Sequence, residues 1–448
     1  MTHDLLLRGD LVLEDEVVAG GALAVTAGRI SAVLGPGDEL PDAAEIHDLS
    51  GRWLMPGVVD THVHAGSFET EDLTSTTASA AYGGVTTIVD MPYDRAAPVM
   101  GRERLDEKIQ QVSDGAIVDV GLYGTMPKVD GARVLPDLIE GGVCAFKFSL
   151  FEYDARRFPR IADGDLLAAF EVLAGAGVPV VVHNELQEVV EHRLAPLLDG
   201  REDDALAHGE SHPPVSETAA SAKLLDFAYW TGARLHLAHC THPHTFRLVD
   251  FYRGLGAAVS GETCVHYLLL SETDVARFGS IAKVNPPIRD EIAHEGLWTL
   301  LREGAIESVS TDHAPWPMDT KRRPMLQASA GMPGLESFLP GIVTGGLARD
   351  FPLADLIGHV TWRPAEIFGL ADRKGRLAVG LDADVAVFDA RAPWTFRAAD
   401  TPSAADWSPF DGWSFAGRVE ATYLRGRRVF EDGRVIGPAG GGSWLARR

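Results

Sequence analysis

Between residues 58 and 312, eight short apolar runs alternate with stretches of helical spacing, and this alternation limits the fold more than any other feature of the chain. The runs lie near 58–64, 85–91, 117–123, 143–148, 178–183, 234–239, 256–262 and 306–312. The segments between them, such as Asp165 to Gly175 and Glu217 to Trp230, repeat apolar residues every three or four positions, as an amphipathic helix does. Strands joined by helices lie parallel, and eight such units predict a closed (β/α)8 barrel of the TIM type. A chain of 448 residues has room for that barrel and one smaller domain. The two ends supply it. Residues 1–56 read as short strands, among them Leu5-Leu6-Leu7 and Ile30-Ser31-Ala32-Val33, with Ala27-Gly28-Arg29 as a hairpin turn. The stretch 375–448 has the same texture at Asp384-Val385-Ala386-Val387-Phe388 and Ala421-Thr422-Tyr423-Leu424. Neither end has apolar surface enough for a core, so together they are expected to form one small β-sandwich, leaving 57–374 to the barrel.

A barrel of this kind carries its functional residues at the C-terminal ends of its strands. Strand one ends in Asp60-Thr61-His62-Val63-His64, where His62 and His64 project together because alternate residues of a strand share a face. Two imidazoles fixed this way make half of a metal site. Lys147 stands near the end of strand four, His183 ends strand five, His239 ends strand six and Asp312 ends strand eight. Six metal-competent or modifiable side chains at five strand ends predict a metal centre. Asp60 shares the face of His62, and is either a partner that orients a ligand histidine or a plain strand-end carboxylate. The other histidines meet the test less well. His236 faces away from His239 and is expected in the core. His242 and His244 follow strand six in a loop, His266 lies beyond strand seven, and His313 points away from its neighbour Asp312.

The net charge of −24 argues against a nucleic-acid or anionic-membrane partner. No apolar run is long enough to span a bilayer. The start, Met1-Thr2-His3-Asp4, lacks the basic-then-apolar pattern of a signal peptide. Three widely spaced cysteines, Cys144, Cys240 and Cys264, fit a reducing cytoplasm.

Several stretches, in order along nearly the whole chain, resemble the amidohydrolase superfamily, in particular its cyclic-amide branch of allantoinases, hydantoinases and dihydroorotases. They are Asp60-Thr-His-Val-His64, Gly84-Val-Thr-Thr-Ile-Val-Asp-Met-Pro92, Phe146-Lys-Phe148, Val182-His-Asn-Glu185, Leu237-Ala-His-Cys240, Gly261-Glu-Thr-Cys264, Asn285-Pro-Pro-Ile-Arg289, Thr311-Asp-His-Ala-Pro315, and Gly375-Arg-Leu377 through Asp382-Ala-Asp384. The resemblance implies two zinc ions bridged by carboxylated Lys147 and a hydroxide. His62, His64 and Asp312 would complete one metal, His183 and His239 the other. A carbamate on Lys147 offers two anionic oxygens where a neutral amine cannot bridge two cations. The resemblance further implies that the hydroxide attacks a ring amide carbonyl and that Asp312 carries its proton to the leaving nitrogen. The substrate would be a small cyclic ureide or imide, and the family habit is a homodimer or homotetramer.

The same resemblance points to substrate contacts at Asn285, in Asn285-Pro286-Pro287, and at Gly331, in Gly331-Met-Pro-Gly334. Tyr153 either presents its hydroxyl to the oxyanion, as in hydantoinases, or is an ordinary loop aromatic. It stands six residues after Lys147, where hydantoinases have their tyrosine five residues on and this chain has Glu152. Dihydroorotases hold the substrate's carboxylate with an arginine, an asparagine and a histidine at positions that here are Gly66, Tyr93 and Trp316. Tyr93 and Trp316 suit an uncharged ring or an aromatic substituent, unless Arg289 or Lys283 takes over the carboxylate. A dihydroorotase is the rival enzyme reading, and a non-catalytic scaffold relative the rival of another class.

Overall fold

The computed structural model describes residues 2–69 and 71–447. Eight barrel strands follow in chain order: Val58–Val63, Val85–Asp90, Asp119–Gly124, Ala145–Ser149, Val180–His183, Leu235–Leu237, Val259–Cys264 and Ser308–Ser310. Each pairs in parallel with the next. The ring closes where Val63 pairs with His313 and the His64 N–H donates to the His313 carbonyl at 3.1 Å. Every residue of these strands except Ser260 is buried. A parallel sheet covered on both faces has no polar side to alternate with, which is why its strands read as continuous apolar runs.

Strands six and eight stop short of their expected ends at 239 and 312. The backbone turns left-handed at His239 (φ +37°) and Asp312 (φ +48°), so neither residue continues its strand. Non-glycine residues held there cost about 1–3 kcal/mol each and gather at functional sites. The helices are placed by ordinary signals. Asp163–Ala174 opens with Asp163 and Asp165 against the positive end of its dipole and stops at Gly175. Pro214–Thr231 starts on a proline and ends at Gly232 in the left-handed region. No helix of the described residues is long and apolar enough to cross a membrane.

Both ends of the chain combine in one domain. The strands His3–Val12, Val17–Thr26, Arg29–Leu34 and Ala43–Pro56 join Val385–Asp389, Arg418–Leu424, Arg427–Glu431 and Arg434–Val435 in a mostly antiparallel eight-stranded sheet. The seam between the two ends is Ala43–Pro56 against Val385–Asp389. Ala27 and Gly28, both at positive φ, make the tight turn between the second and third strands. Parts of the C-terminal stretch leave the sheet and brace the barrel. Trp444 pairs with Val120 of strand three, and the Trp407 indole donates to the Trp316 carbonyl at 2.9 Å.

An ion cluster locks sheet to barrel. Lys374, 1% exposed, places its ammonium 2.6 Å from Asp119, 2.9 Å from Asp382 and 2.7 Å from Asp384, and Arg425 also bonds Asp119. Burial opposes the charge on Lys374, yet the carboxylates hold its pKa above the usual lysine value. These three aspartates lie close enough to hold a metal ion, but Lys374 is their cation. Lys374→Met leaves Asp384 without an ion-pair partner, while Asp119 keeps Arg425 and Asp382 keeps Arg373, and is expected to lower stability by about 3–5 kcal/mol. Urea denaturation checks this, and an unchanged midpoint would contradict it.

Candidate active site

The side chains at the rim converge. His62 donates from Nδ1 to Glu262 at 2.6 Å, which leaves Nε2 facing Asp312 at 3.3 Å and the Lys147 amine at 3.4 Å. His64 turns Nδ1 to the Ser67 hydroxyl (3.2 Å) and Nε2 to Asp312 (3.3 Å). On the other side, His183 Nδ1 lies 3.0 Å from His239 Nε2, while His183 Nε2 donates to Glu185 at 2.9 Å. The His239 Nδ1 is buried without a hydrogen-bond partner among the described residues. The rings of His62 and His239 are 5.2 Å apart, so the two halves form one cluster.

Burial dominates the electrostatics. It lowers the pKa of His62 and drives that of His239 well down, which favours neutral rings with lone pairs to offer. It brings Lys147, 1% exposed, to about 8, so the uncharged amine that reacts with CO₂ is within reach. Burial opposes the charge on Asp312, but His62, His64 and His239 hold its carboxyl well below the usual range.

Two carboxylates of this cluster stand in the quoted family motifs without a role assigned to them. Glu262, at the fourth position of strand seven, orients His62 and also lies 3.5 Å from His236. Glu185, two residues beyond His183, orients that ring. Such partners fix which ring nitrogen is free. A fully buried glutamate inside a strand was the available signal, since glutamate is almost never buried unpaired. Asp60 does not reach an imidazole. Its carboxylate accepts the His62 N–H at 3.2 Å and the Thr311 hydroxyl at 2.6 Å, so it clamps the end of strand one to the end of strand eight. Burial raises its pKa to about 7.

Above the cluster opens a cavity of about 490 Å³. Tyr93, Tyr153, Asn285, Trp316 and Gly331 all line it. The Tyr93 hydroxyl donates to the Lys147 carbonyl at 3.1 Å, and its ring stacks on Phe158 with centroids 3.9 Å apart. Tyr153 is exposed along its ring, yet its hydroxyl lies 2.9 Å from His183 Nε2. Burial, with Glu185 nearby, pushes that hydroxyl well above the usual tyrosine range and keeps it a donor. Trp316 packs on Phe68 at 4.5 Å and donates to the Ala330 carbonyl at 2.7 Å. Gly331 sits at φ +134°, and a Cβ there would stand 2.7 Å from the Ala314 Cβ. Gly66 is not part of the wall. It packs against Asp94, whose carboxylate oxygen would lie 2.5 Å from an added Cβ.

The remaining histidines have other duties. His236 is buried, its Nδ1 2.8 Å from the Ser260 hydroxyl. His242 caps the helix Pro243–Gly254, where His244 is the second residue. His266 packs on Tyr267, with ring centroids 4.1 Å apart. His313 donates to Glu71 at 3.0 Å and accepts the Gly334 N–H at 3.1 Å, which ties down the loop after strand eight.

Residues 53–429 match the model of the amidohydrolase family. The chain belongs to that family. Over 444 residues it is 35% identical to an allantoinase of Streptomyces avermitilis, covering 98% of each chain. An allantoinase of Deinococcus radiodurans is 34% identical over 98% of this chain and 97% of its own. The structure of the L-hydantoinase (dihydropyrimidinase) from Arthrobacter aurescens superposes with a TM-score of 0.95 at 28% identity, covering both chains fully.

Amidohydrolases are typically metal-dependent, and the donor set of this one fits a metal. The ligand atoms of His62, His64 and Asp312 all lie within 4.8 Å of one another. The facing nitrogens of His183 and His239 also suit a cation better than they suit each other. Glu262→Ala removes the acceptor that turns Nε2 of His62 inward. It is expected to weaken metal affinity about 10–100-fold, and titration with a competing chelator checks that figure. An unchanged affinity would mean that Glu262 only fills space.

Proposed function

We propose that this amidohydrolase opens a cyclic ureide or imide by hydrolysing a ring amide C–N bond, as the names of its allantoinase and hydantoinase relatives suggest. The observation that carries the reading is the convergence of His62, His64, Lys147, His183, His239 and Asp312 beneath one cavity. His62, His64 and Asp312 would hold one zinc ion, His183 and His239 a second, and Lys147 carboxylated at Nζ would reach both. When bound, the ions supply a water of lowered pKa and a positive field for the carbonyl oxygen. Asp312 accepts the proton of the attacking water as the new C–O bond forms at the ring carbonyl, and then returns it to the leaving ring nitrogen as the C–N bond breaks and the carbonyl reforms. The Tyr153 hydroxyl donates a hydrogen bond to the oxyanion. Phe68, Phe158 and Trp316 keep bulk water from the ring.

The dihydroorotase reading lacks its anchors. Position 66 packs on Asp94, and positions 93 and 316 present aromatic rings. The scaffold reading has no missing ligand to support it. A panel of allantoin, 5-substituted hydantoins, dihydrouracil, dihydroorotate and cyclic imides, assayed with zinc-loaded protein, tests the proposal. At least one neutral ureide is expected to be opened with kcat/KM of about 10⁴ M⁻¹s⁻¹ or more. Dihydroorotate, whose acid sits on the ring carbon, is expected to be slower by about 10²-fold or more, because burying an unpaired carboxylate is costly. Failure on every ring with metal fully loaded would contradict the reading.

A further inference from the structure

Apart from Lys147 at the rim cluster, the buried cations Lys108, Lys374, Arg289 and Lys321 are answered by carboxylates or by a full set of carbonyls. Lys108 lies 2.6 Å from Asp90 and also bonds Asp94, and Lys374 has three aspartates. Arg104 reaches Asp94 at 2.8 Å, and Arg289 faces Glu217 at 3.7 Å. Lys321 donates to the carbonyls of Lys283, Ser329 and Gly331 at 2.9, 3.0 and 2.8 Å. Lys283 differs. It is 7% exposed and lines the cavity, yet its ammonium has the Leu326 carbonyl at 3.2 Å and no carboxylate within 4.0 Å among the described residues. An ammonium carries three protons to donate, so the Leu326 carbonyl leaves it short of acceptors beside the cavity. Burial alone lowers the pKa of Lys283 to about 8, with no anion to restore it.

Glu152, Asp154 and Asp312 line the same cavity, but no carboxylate lies within 4.0 Å of Lys283 among the described residues. His208 and His212, with rings 4.4 Å apart, line the same cavity as Lys283. Burial favours their neutral forms. Glu185 bonds His183 through Oε2 and leaves Oε1 without a hydrogen-bond partner among the described residues, yet neither oxygen comes within ion-pair distance of Lys283, and Glu217 accepts from the Thr241 N–H at 3.1 Å and the Thr245 hydroxyl at 2.6 Å. Arg289, behind the cavity wall, spends Nε on the Thr241 hydroxyl at 2.8 Å and Nη1 on the His212 carbonyl, and its Nη2 faces Glu217 at 3.7 Å. A second cation, Arg157, also lines the cavity. Its Nε is buried without a hydrogen-bond partner, and its Nη2 lies 3.4 Å from the Ser67 carbonyl. A chain of net charge −24 has carboxylates in plenty, yet among the described residues none lies within 4.0 Å of the Lys283 ammonium or the Arg157 guanidinium.

We infer that the part of the cavity beside Lys283 is a subsite for a carboxylate carried on a side arm of the substrate ring. The inference rests on the ring-opening reading above and narrows it, from neutral cyclic ureides to cyclic ureides bearing an acidic substituent. An acid on a flexible arm is a different case from one on the ring carbon, since the arm lets the charge reach Lys283 while Tyr93 and Trp316 still hold an uncharged ring.

The test compares 5-(2-carboxyethyl)hydantoin with its carbamoyl analogue, which has nearly the same shape and no charge. Both are assayed with zinc-loaded full-length enzyme, and the binding of each is measured by calorimetry. Wild type is expected to favour the acid by about tenfold or more, chiefly in KM and Kd, because a hydrogen bond to a charged group is worth at least that factor. Lys283→Met is expected to bring the acid-to-amide ratio to about one, and Lys283→Arg to keep it on the acid side, since only the latter retains the charge. A wild-type ratio near one, or an undiminished ratio in Lys283→Met, overturns the subsite. The calorimetric ratio in wild type decides the matter even where a variant does not fold. It also separates the two claims: if neither hydantoin is opened, the ring-opening reading fails, while tighter binding of the acid, lost in Lys283→Met, still supports the subsite.

Discussion

Lys147→Ala is expected to lose bound metal and activity together. Lys147 is the one side chain of the cluster with no native affinity for a divalent cation at neutral pH, because its amine is a cation until it loses a proton or is modified. The barrel buries it 3.4 Å from His62 Nε2, where a charged ammonium would repel any metal that His62 held. A carbamate on that nitrogen would reverse the charge and supply two oxygens to the proposed centre. Alanine would then remove both oxygens and leave His183 and His239 as a two-nitrogen site, short of the three protein ligands that hold a catalytic zinc. Short carboxylic acids added to the mutant are expected to restore part of the activity by filling the gap. Metal analysis beside an activity assay checks this. Full metal occupancy with normal turnover in Lys147→Ala would sink the carbamate-bridged account.

Asp312→Asn is expected to keep the fold and most of the metal while lowering kcat by about 10²-fold or more, the scale of a lost general acid–base group. Asparagine has nearly the same volume and keeps one ligand oxygen, but cannot take a proton. In the folded protein Asp312 lies 3.3 Å from both His62 and His64, and these rings with His239 hold its carboxyl well below its ordinary range. Its left-handed backbone (φ +48°) is one that asparagine also tolerates, so the substitution adds little strain. A kcat unchanged in this variant would remove Asp312 from the proton path.

The strand count and the identity of the rim residues were legible because a parallel barrel buries its strands on both faces and exposes function at one end. The exact strand ends were not. His239 and Asp312 leave the extended conformation abruptly, and neither carries the glycine that usually announces a left-handed turn. Glu262 escaped because its partnership is tertiary: His62 and Glu262 lie 200 residues apart in the chain, whereas Glu185 stands only two residues beyond its partner His183. Gly66 was read from a motif position, whereas its lack of a side chain serves packing on Asp94. Tyr153 stands one residue from the position hydantoinases use, which leaves its role open in the sequence. Its loop, where Asp154 pairs with Phe158, turns the hydroxyl to His183 all the same. Lys283 shows the limit most plainly, since a lysine in a sequence does not reveal whether a carboxylate will face it.

The most direct test of a two-metal, ring-opening centre is to titrate metal-free protein with zinc, in the presence of bicarbonate, while following the opening of its best ureide. The account predicts no activity at the start, a rise with added zinc, and a plateau at two equivalents per chain. Full activity in the metal-free protein, or none on any ureide once two equivalents are bound, would contradict it.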